Sequence, residues 1–79
     1  MDQWRDINLP AGSKLFRVHS FMFMFKGSTF AIEVDEFADG TFTGHGEHST
    51  DKSNVIEPVS SSSLQDCLQA LISKIEARG

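Results

Sequence analysis

Cysteine is nearly absent from this sequence, since Cys67 is the only one among 79 residues. A single cysteine excludes an internal disulfide and any metal site that needs several thiolate ligands. Long apolar runs are also missing: the longest covers residues 21–25, whereas a membrane-spanning helix needs about 20 apolar residues. The N-terminus lacks the basic-then-apolar pattern of a secretory signal. We therefore expect a soluble, cytoplasmic protein with no membrane partner.

Basic residues are few and scattered. Seven lysines and arginines face eleven acidic residues, which gives a net charge of −4. Binding to nucleic acid requires several basic side chains that neutralise phosphates together, so this distribution argues against a nucleic-acid partner. The basic residues stand singly at Arg5, Lys14, Arg17, Lys26, Lys52, Lys74 and Arg78.

The apolar content of 39% is typical of one small globular domain, which we assign to residues 1–79. Residues 1–13 end in a turn-forming Pro-Ala-Gly-Ser run and have no clear structure of their own. Residues 14–57 predict an antiparallel sheet of three or four strands, with turns at Gly27-Ser28 and at Asp39-Gly40. The third strand contains two glycines, Gly44 and Gly46, so we expect it to be bulged and near an edge. A short extended piece at residues 55–57 completes this region.

Residues 62–78 predict one amphipathic helix. Six apolar side chains recur at steps of three and four, which places them on one side of a helix. Ser62 with Gln65, or Ser63 with Asp66, has the spacing of a capping box at its start. The apolar positions are Leu64, Cys67, Leu68, Leu71, Ile72 and Ile75. The predicted fold is therefore α+β, a two-layer meander sheet with a C-terminal helix packed on one face.

The first hairpin is apolar on both faces, and one helix can cover only one of them. A two-residue Gly27-Ser28 turn places Phe25 opposite Phe30 and gathers the aromatic side chains on one face, which we expect to pack against the helix. A three-residue turn would instead bring Met22 and Met24 to that face. In the first register the helix-covered side chains are Phe21, Phe23, Phe25, Phe30, Ile32 and Val34.

The opposite face of the hairpin carries the candidate partner-binding residues. Either Trp4, Ile7 and Leu9 fold back over this face, or another chain covers it, because a soluble monomer rarely leaves such a patch bare. That other chain could be an unknown protein or a second copy in a homodimer. The predicted candidate patch consists of Phe16, Val18, Met22, Met24, Ala31, Glu33 and Asp35.

Catalytic, cofactor and metal sites are not predicted. His45 and His48 would point to opposite faces of a strand, which does not suit the convergent ligands of zinc. Cys67 lies on the apolar side of the helix, where a thiol behaves as a small hydrophobe. The acidic stretch of Glu33, Asp35, Glu36 and Asp39 implies no cleft, so solvated sheet positions explain it. We predict a non-enzymatic protein that needs no cofactor.

The strands around "FAIEVDEFADGTFTG" and the helix "SLQDCLQALISKIEA" together resemble HicB-type antitoxins in element order, over about fifty residues. That resemblance implies a small sheet and helix that cover a partner protein, although the glycine loop usual before the family's helix is missing. The order also resembles double-stranded-RNA-binding domains, but residues 60–69 lack the basic side chains expected at their helix start. No residue roles are transferred from either family. The function predicted from the sequence is a small protein-interaction module, a regulator or inhibitor of a larger partner, with nucleic-acid binding as the disfavoured alternative.

Overall fold

The computed structural model describes residues 3–78 and contains a four-stranded antiparallel sheet followed by one helix, which confirms the α+β prediction. The strands follow one another in space in the order β1-β2-β3-β4, so β1 and β4 are the two edges. A short 3₁₀ helix, Gln3–Asp6, precedes the sheet. The other elements are β1 (Phe16–Phe25), β2 (Ser28–Phe37), β3 (Phe42–His48), β4 (Val55–Ser61) and α1 (Leu64–Arg78).

The first hairpin turns at Lys26-Gly27, so the predicted Gly27-Ser28 turn is wrong by one position. Both turn residues have positive φ, 51° and 80°, as a type I′ turn requires, and Ser28 opens β2 opposite Phe25. Phe23 rather than Phe25 therefore lies opposite Phe30. The observed register therefore shifts each β2 partner by two residues. Because side chains alternate between the two faces with a period of two, every side chain stays on its predicted face, and this assignment of faces is confirmed.

The second turn is formed by residues 38–40 and contains the predicted Asp39-Gly40 pair. The Gly40 N–H donates to the Phe37 carbonyl at 3.0 Å, and the Phe37 N–H donates to the Thr41 carbonyl at 2.9 Å. Gly40 has a φ of 92°, which suits the left-handed position that closes a three-residue hairpin loop.

Strand β3 lies between β2 and the edge strand β4, so it is near an edge, as predicted, without being an edge strand itself. Gly44 allows the helix to pack closely, because a Cβ built on it would lie 2.7 Å from Leu71 Cδ1 and 2.8 Å from Cys67 Sγ. The predicted irregularity is present, since the pairing with β4 shifts between Gly44 and Gly46. In that shift Glu57 and Pro58 together lie opposite one residue of β3.

Strand β4 extends to Ser61, beyond the predicted piece at residues 55–57. Pro58 is tolerated because β4 is an edge strand and because Pro58 lies at the bulge, where no ladder hydrogen bond is lost. The chain then enters α1 at Ser63, whose Oγ accepts a hydrogen bond from the Asp66 N–H at 3.0 Å. Of the two alternatives, the structure therefore uses Ser63 as the helix cap, but it does not form the full capping box, because the Ser63 N–H donates to Ser61 Oγ at 3.3 Å and not to the Asp66 side chain.

The core lies between α1 and the β2, β3 and β4 strands. Its buried apolar side chains are Phe30, Ile32, Val34, Ile56, Cys67, Leu71 and Ile75. The inward aromatic residues of β1, namely Phe21, Phe23 and Phe25, pack against this core but are only half-buried. Helix α1 thus leaves the edge of the sheet at β1 less shielded than the rest.

Within the described residues, α1 is too short and too polar to cross a membrane.

Candidate functional site

The sheet has two faces, which we name the helix face, covered by α1, and the outer face, opposite to it. The observed pairing places all seven residues of the candidate patch together on the outer face of β1 and β2. Met22 lies opposite Ala31 and Val18 lies opposite Asp35. The predicted register paired each of these β1 residues with a β2 residue two positions further along the chain. The observed patch is nevertheless contiguous and contains the same residues.

The β1 half of the patch is open to solvent. Met22 is 64% exposed and Met24 is 76% exposed, while Phe16 and Val18 are 43% and 50% exposed. Such values are unusual for adjacent apolar side chains on one strand of a folded domain. Met side chains are flexible and polarizable, so this strip can adapt to the shape of an apolar partner.

The β2 half of the patch is acidic and lies beside a histidine of β3. Ala31 is half-buried, Glu33 is exposed, and Asp35 is partly covered. His45 Nε2 lies 3.6 Å from Glu33 Oε1 and 3.9 Å from Asp35 Oδ2. The outer face is therefore divided into an apolar strip at the edge and a charged strip near the middle.

Of the N-terminal segment, residues 4–13 do not cover the methionines. Arg5 donates to the Glu36 carboxylate and, at 3.4 Å, to the Ala38 carbonyl, and Glu36 belongs to the helix face. Ile7 and Leu9 remain 57% and 41% exposed. Of the two alternatives drawn from the sequence, the first, in which Trp4, Ile7 and Leu9 shield this face, is therefore wrong for the exposed methionines.

Residues that follow the 3₁₀ helix do border the outer face at its far end. A hollow of about 400 Å³ lies there, with Leu9, Lys14, Phe37 and Thr43 among its lining residues. The Phe37 ring also contacts the Phe16 ring, with centroids 5.1 Å apart. The cover supplied by the N-terminal segment is thus limited to the Phe37 end and leaves Met22 and Met24 exposed.

Glu36 forms a polar cluster that the sequence interpretation missed, because it grouped this residue with the solvated acidic stretch. Glu36 is 7% exposed, and one of its oxygens lies 2.8 Å from His19 Nε2. The hydrogen bond from His19 is the main cause that lowers the pKa of Glu36; burial opposes it, and Arg5 adds to the lowering. The sequence does contain a signal for the position of Glu36: it follows Val34 by two residues in the same strand, so both side chains lie on the helix face.

The three histidines do not converge. His45 lies on the outer face, His19 contacts Glu36 on the helix face, and His48 packs its ring edge against Phe30 with centroids 5.2 Å apart. Residues 3–78 contain no group of three or more side chains arranged to hold a metal ion. The predicted opposite directions of His45 and His48 are therefore observed.

The Cys67 thiol is fully buried in the core. Burial raises the pKa of this thiol, with a smaller contribution from the negative charge of Asp35. A buried thiol with a raised pKa is a poor nucleophile.

No known protein family matches this chain, and no significant match exists among curated proteins or solved structures. The resemblances in element order drawn from the sequence therefore stay predictions.

Proposed function

We propose that this chain is a non-enzymatic protein-interaction module whose docking surface is the outer face and open edge of β1. The observation that carries the proposal is the exposure of Met22 and Met24, at 64% and 76%, on an edge strand. Contiguous apolar side chains that the chain's own helix and N-terminal segment leave uncovered mark an interaction site in a soluble protein.

An edge strand offers two kinds of recognition together. Its outward N–H and C=O groups can form hydrogen bonds with a strand of the partner, which supplies affinity. Its alternate side chains contact those of the partner strand, which supplies specificity. In β1 those side chains are Val18, Met22 and Met24, so the favoured partner presents an extended apolar segment. A module of this kind regulates or inhibits its partner by occupying the surface that the partner needs.

The non-enzymatic part of the proposal is supported by the state of the nucleophile candidates. Cys67 is buried, and Ser63 is engaged as the helix cap. Ser61 Oγ accepts a hydrogen bond from the Ser63 N–H at 3.3 Å, so it too belongs to the helix start. These roles are structural.

Nucleic-acid binding gains no support from the outer face, because Glu33, Asp35 and Glu47 all lie on it. Carboxylates in the middle of the sheet would repel a phosphate backbone laid across this face. The proposal also includes a cytoplasmic location, on the strength of the single cysteine.

The test is a double substitution, Met22→Asp with Met24→Asp, in the intact chain. Both side chains point into solvent, so the variant should keep its fold while it loses the apolar strip. We expect the wild-type chain to retain a specific protein partner from its native host, or a second copy of itself, and the variant to retain neither.

The matched control is Val55→Asp with Ser60→Asp, because these exposed residues lie on the same face at the opposite edge. The control should bind as the wild type does. Unfolding of the methionine variant in circular dichroism would mean that these residues belong to the core, and equal binding by both variants would mean that the surface lies elsewhere.

A further inference from the structure

We infer that the occupant of this surface is a second copy of the chain, whose β1 strand pairs antiparallel with the first around a two-fold axis at Ser20. The inference rests on the proposed function, since it names the partner of the same edge. Four features carry it: the free backbone groups of β1, the contrast between the two edges, the match of side chains across the axis, and the position of the charges.

The geometry of the hairpin determines which backbone groups are free. Antiparallel pairs alternate between hydrogen-bonded and non-hydrogen-bonded, and the pair that flanks a two-residue turn is hydrogen-bonded. Because Phe25 and Ser28 flank the Lys26-Gly27 turn, the odd-numbered residues of β1 bond to β2. The even-numbered residues, from Phe16 to Met24, direct their N–H and C=O groups outward.

The two edges of the sheet differ in their protection. Natural monomers guard an edge with proline, a bulge, a short strand or charged residues. Strand β4 is seven residues long and has Pro58, a bulge and the exposed Glu57. Strand β1 is ten residues long, pairs with β2 without a bulge, and contains no proline or carboxylate; its one arginine, Arg17, lies on the helix face and not among the outer-face side chains. Of the two edges, β1 is therefore the less protected and the better suited to accept another strand.

Side chains match when the axis passes through Ser20. A two-fold axis perpendicular to the sheet places the outer faces of both copies on the same side of the joined sheet. Each even-numbered residue of β1 therefore lies opposite an even-numbered residue of the second copy. Val18 then lies opposite Met22 of the second copy, and Phe16 lies opposite Met24, so every apolar residue of the strip meets another. An axis at Phe21 would instead place Met22 opposite Ser20 of the second copy. An axis at Met22 would place Val18 opposite Lys26 of the second copy, which lies in the first turn. The Ser20 axis therefore gives the fullest apolar contact.

The charges favour this arrangement over the stacking of two outer faces. Stacking would bring Glu33 and Asp35 of both chains together, in molecules that each carry a charge of −4. Edge pairing separates the two β2 strands by three strand spacings, about 14 Å, which is beyond the screening length of about 8 Å at physiological salt. The carboxylates then stay beside His45 of their own chain.

Sedimentation equilibrium measures the first consequence. We expect wild-type chain to sediment as a dimer at micromolar to millimolar concentration, the Met22→Asp, Met24→Asp variant as a monomer, and the Val55→Asp, Ser60→Asp control as a dimer. A monomeric wild type would overturn the second copy as partner, while the capture experiment above would still decide the proposed function. A dimer that survives the methionine substitutions would overturn both.

Cross-linking with oxidised glutathione measures the register. In a hydrogen-bonded pair on the axis, the two position-20 Cα atoms are about 5.5 Å apart, within reach of a disulfide. We therefore expect Ser20→Cys to form a covalent dimer. Met22→Cys is the matched control, since its two Cα atoms would be four residues apart, about 13 Å, and should not cross-link. Cross-linking at position 22 but not at 20 would overturn the Ser20 axis. Cys67 is buried and does not compete.

Discussion

Gly44 lies directly against Leu71, so closely that a Cβ at position 44 would be 2.7 Å from Leu71 Cδ1. Because Gly44 has no side chain, α1 can pack closely against the middle of β3. The same contact explains why the core lies under β2, β3 and β4, while β1 is left partly uncovered.

The first prediction follows from this contact. Gly44→Ala should lower the free energy of unfolding by about 1–3 kcal/mol, because an added methyl group overpacks the interface. Urea unfolding of Gly44→Ala, Leu71→Ala and the double variant forms a double-mutant cycle. Leu71→Ala should cost less in the Gly44→Ala background than alone, since the smaller side chain makes room for the methyl group. Strictly additive costs would contradict the close contact.

The second prediction concerns acid stability. His19, and to a lesser extent Arg5, hold the pKa of Glu36 below its ordinary value. A carboxyl whose pKa is lower in the folded state stabilises the fold fully above its unfolded pKa, about 4.3 for glutamate, and this stabilisation is lost as pH falls through the folded value. The urea midpoint should therefore fall on acidification below about pH 4.3.

Glu36→Gln should weaken this loss on acidification, and its midpoint should be lower than that of the wild type at neutral pH. Part of the loss should remain, because hydrogen bonds from Thr41 and Ser53 lower the pKa of Asp39 and of Asp51. Glu33→Gln removes an exposed carboxylate of the outer face, outside the Glu36 cluster, and is the control in which the loss that depends on Glu36 should persist. An identical profile for Glu36→Gln would contradict the role of this cluster.

The third prediction concerns thiol reactivity. Cys67 is buried and burial raises the pKa of its thiol, so an aromatic disulfide reagent should not react with the native chain. The reaction should proceed at the rate of global unfolding and become fast in denaturant. In Ser62→Cys, which adds an exposed thiol, one equivalent should react at once and the second only on unfolding. Rapid native reaction of Cys67 would show that α1 opens readily from the sheet.

The fourth prediction concerns the first turn. Lys26 has a φ of 51°, a left-handed conformation that asparagine adopts more easily than lysine does. Lys26→Asn creates the Asn-Gly pair that type I′ turns favour and should stabilise the chain by about 0.5 kcal/mol. Lys26→Ala is the control, because alanine has no such preference and should give no gain. Equal midpoints for the two variants in urea would mean that the turn carries no strain.

Alternation along the first hairpin was sufficient to predict its faces, because a shift of two residues leaves every side chain on the same side. The exact turn was not predictable, since lysine is not a usual left-handed residue and Lys26 gave no signal. Strand β4 was predicted too short because Pro58 indicates the end of a strand, whereas here a bulge accommodates it. The role of Gly44 in β3 could not be predicted, because it depends on close contact with Leu71, a residue distant in sequence.

The candidate patch was predictable as a set of residues that share a face, but its exposure was not. Whether Met22 and Met24 are covered depends on where the N-terminal segment attaches, and Arg5 attaches it to Glu36 on the helix face. An ion pair between residues 31 positions apart has no local pattern in the sequence. The burial of Glu36 could have been inferred from the sequence, because it follows Val34 by two residues in the same strand and therefore lies on the same face.

The bulge at Glu57 and Pro58 has a further consequence for assembly. Two chains joined through β1 would present β4 at both ends of their continuous eight-stranded sheet, twice the four strands of one chain. Because both ends would then be blocked by proline, no third molecule could add, and the association would stop at a closed pair instead of growing into a filament.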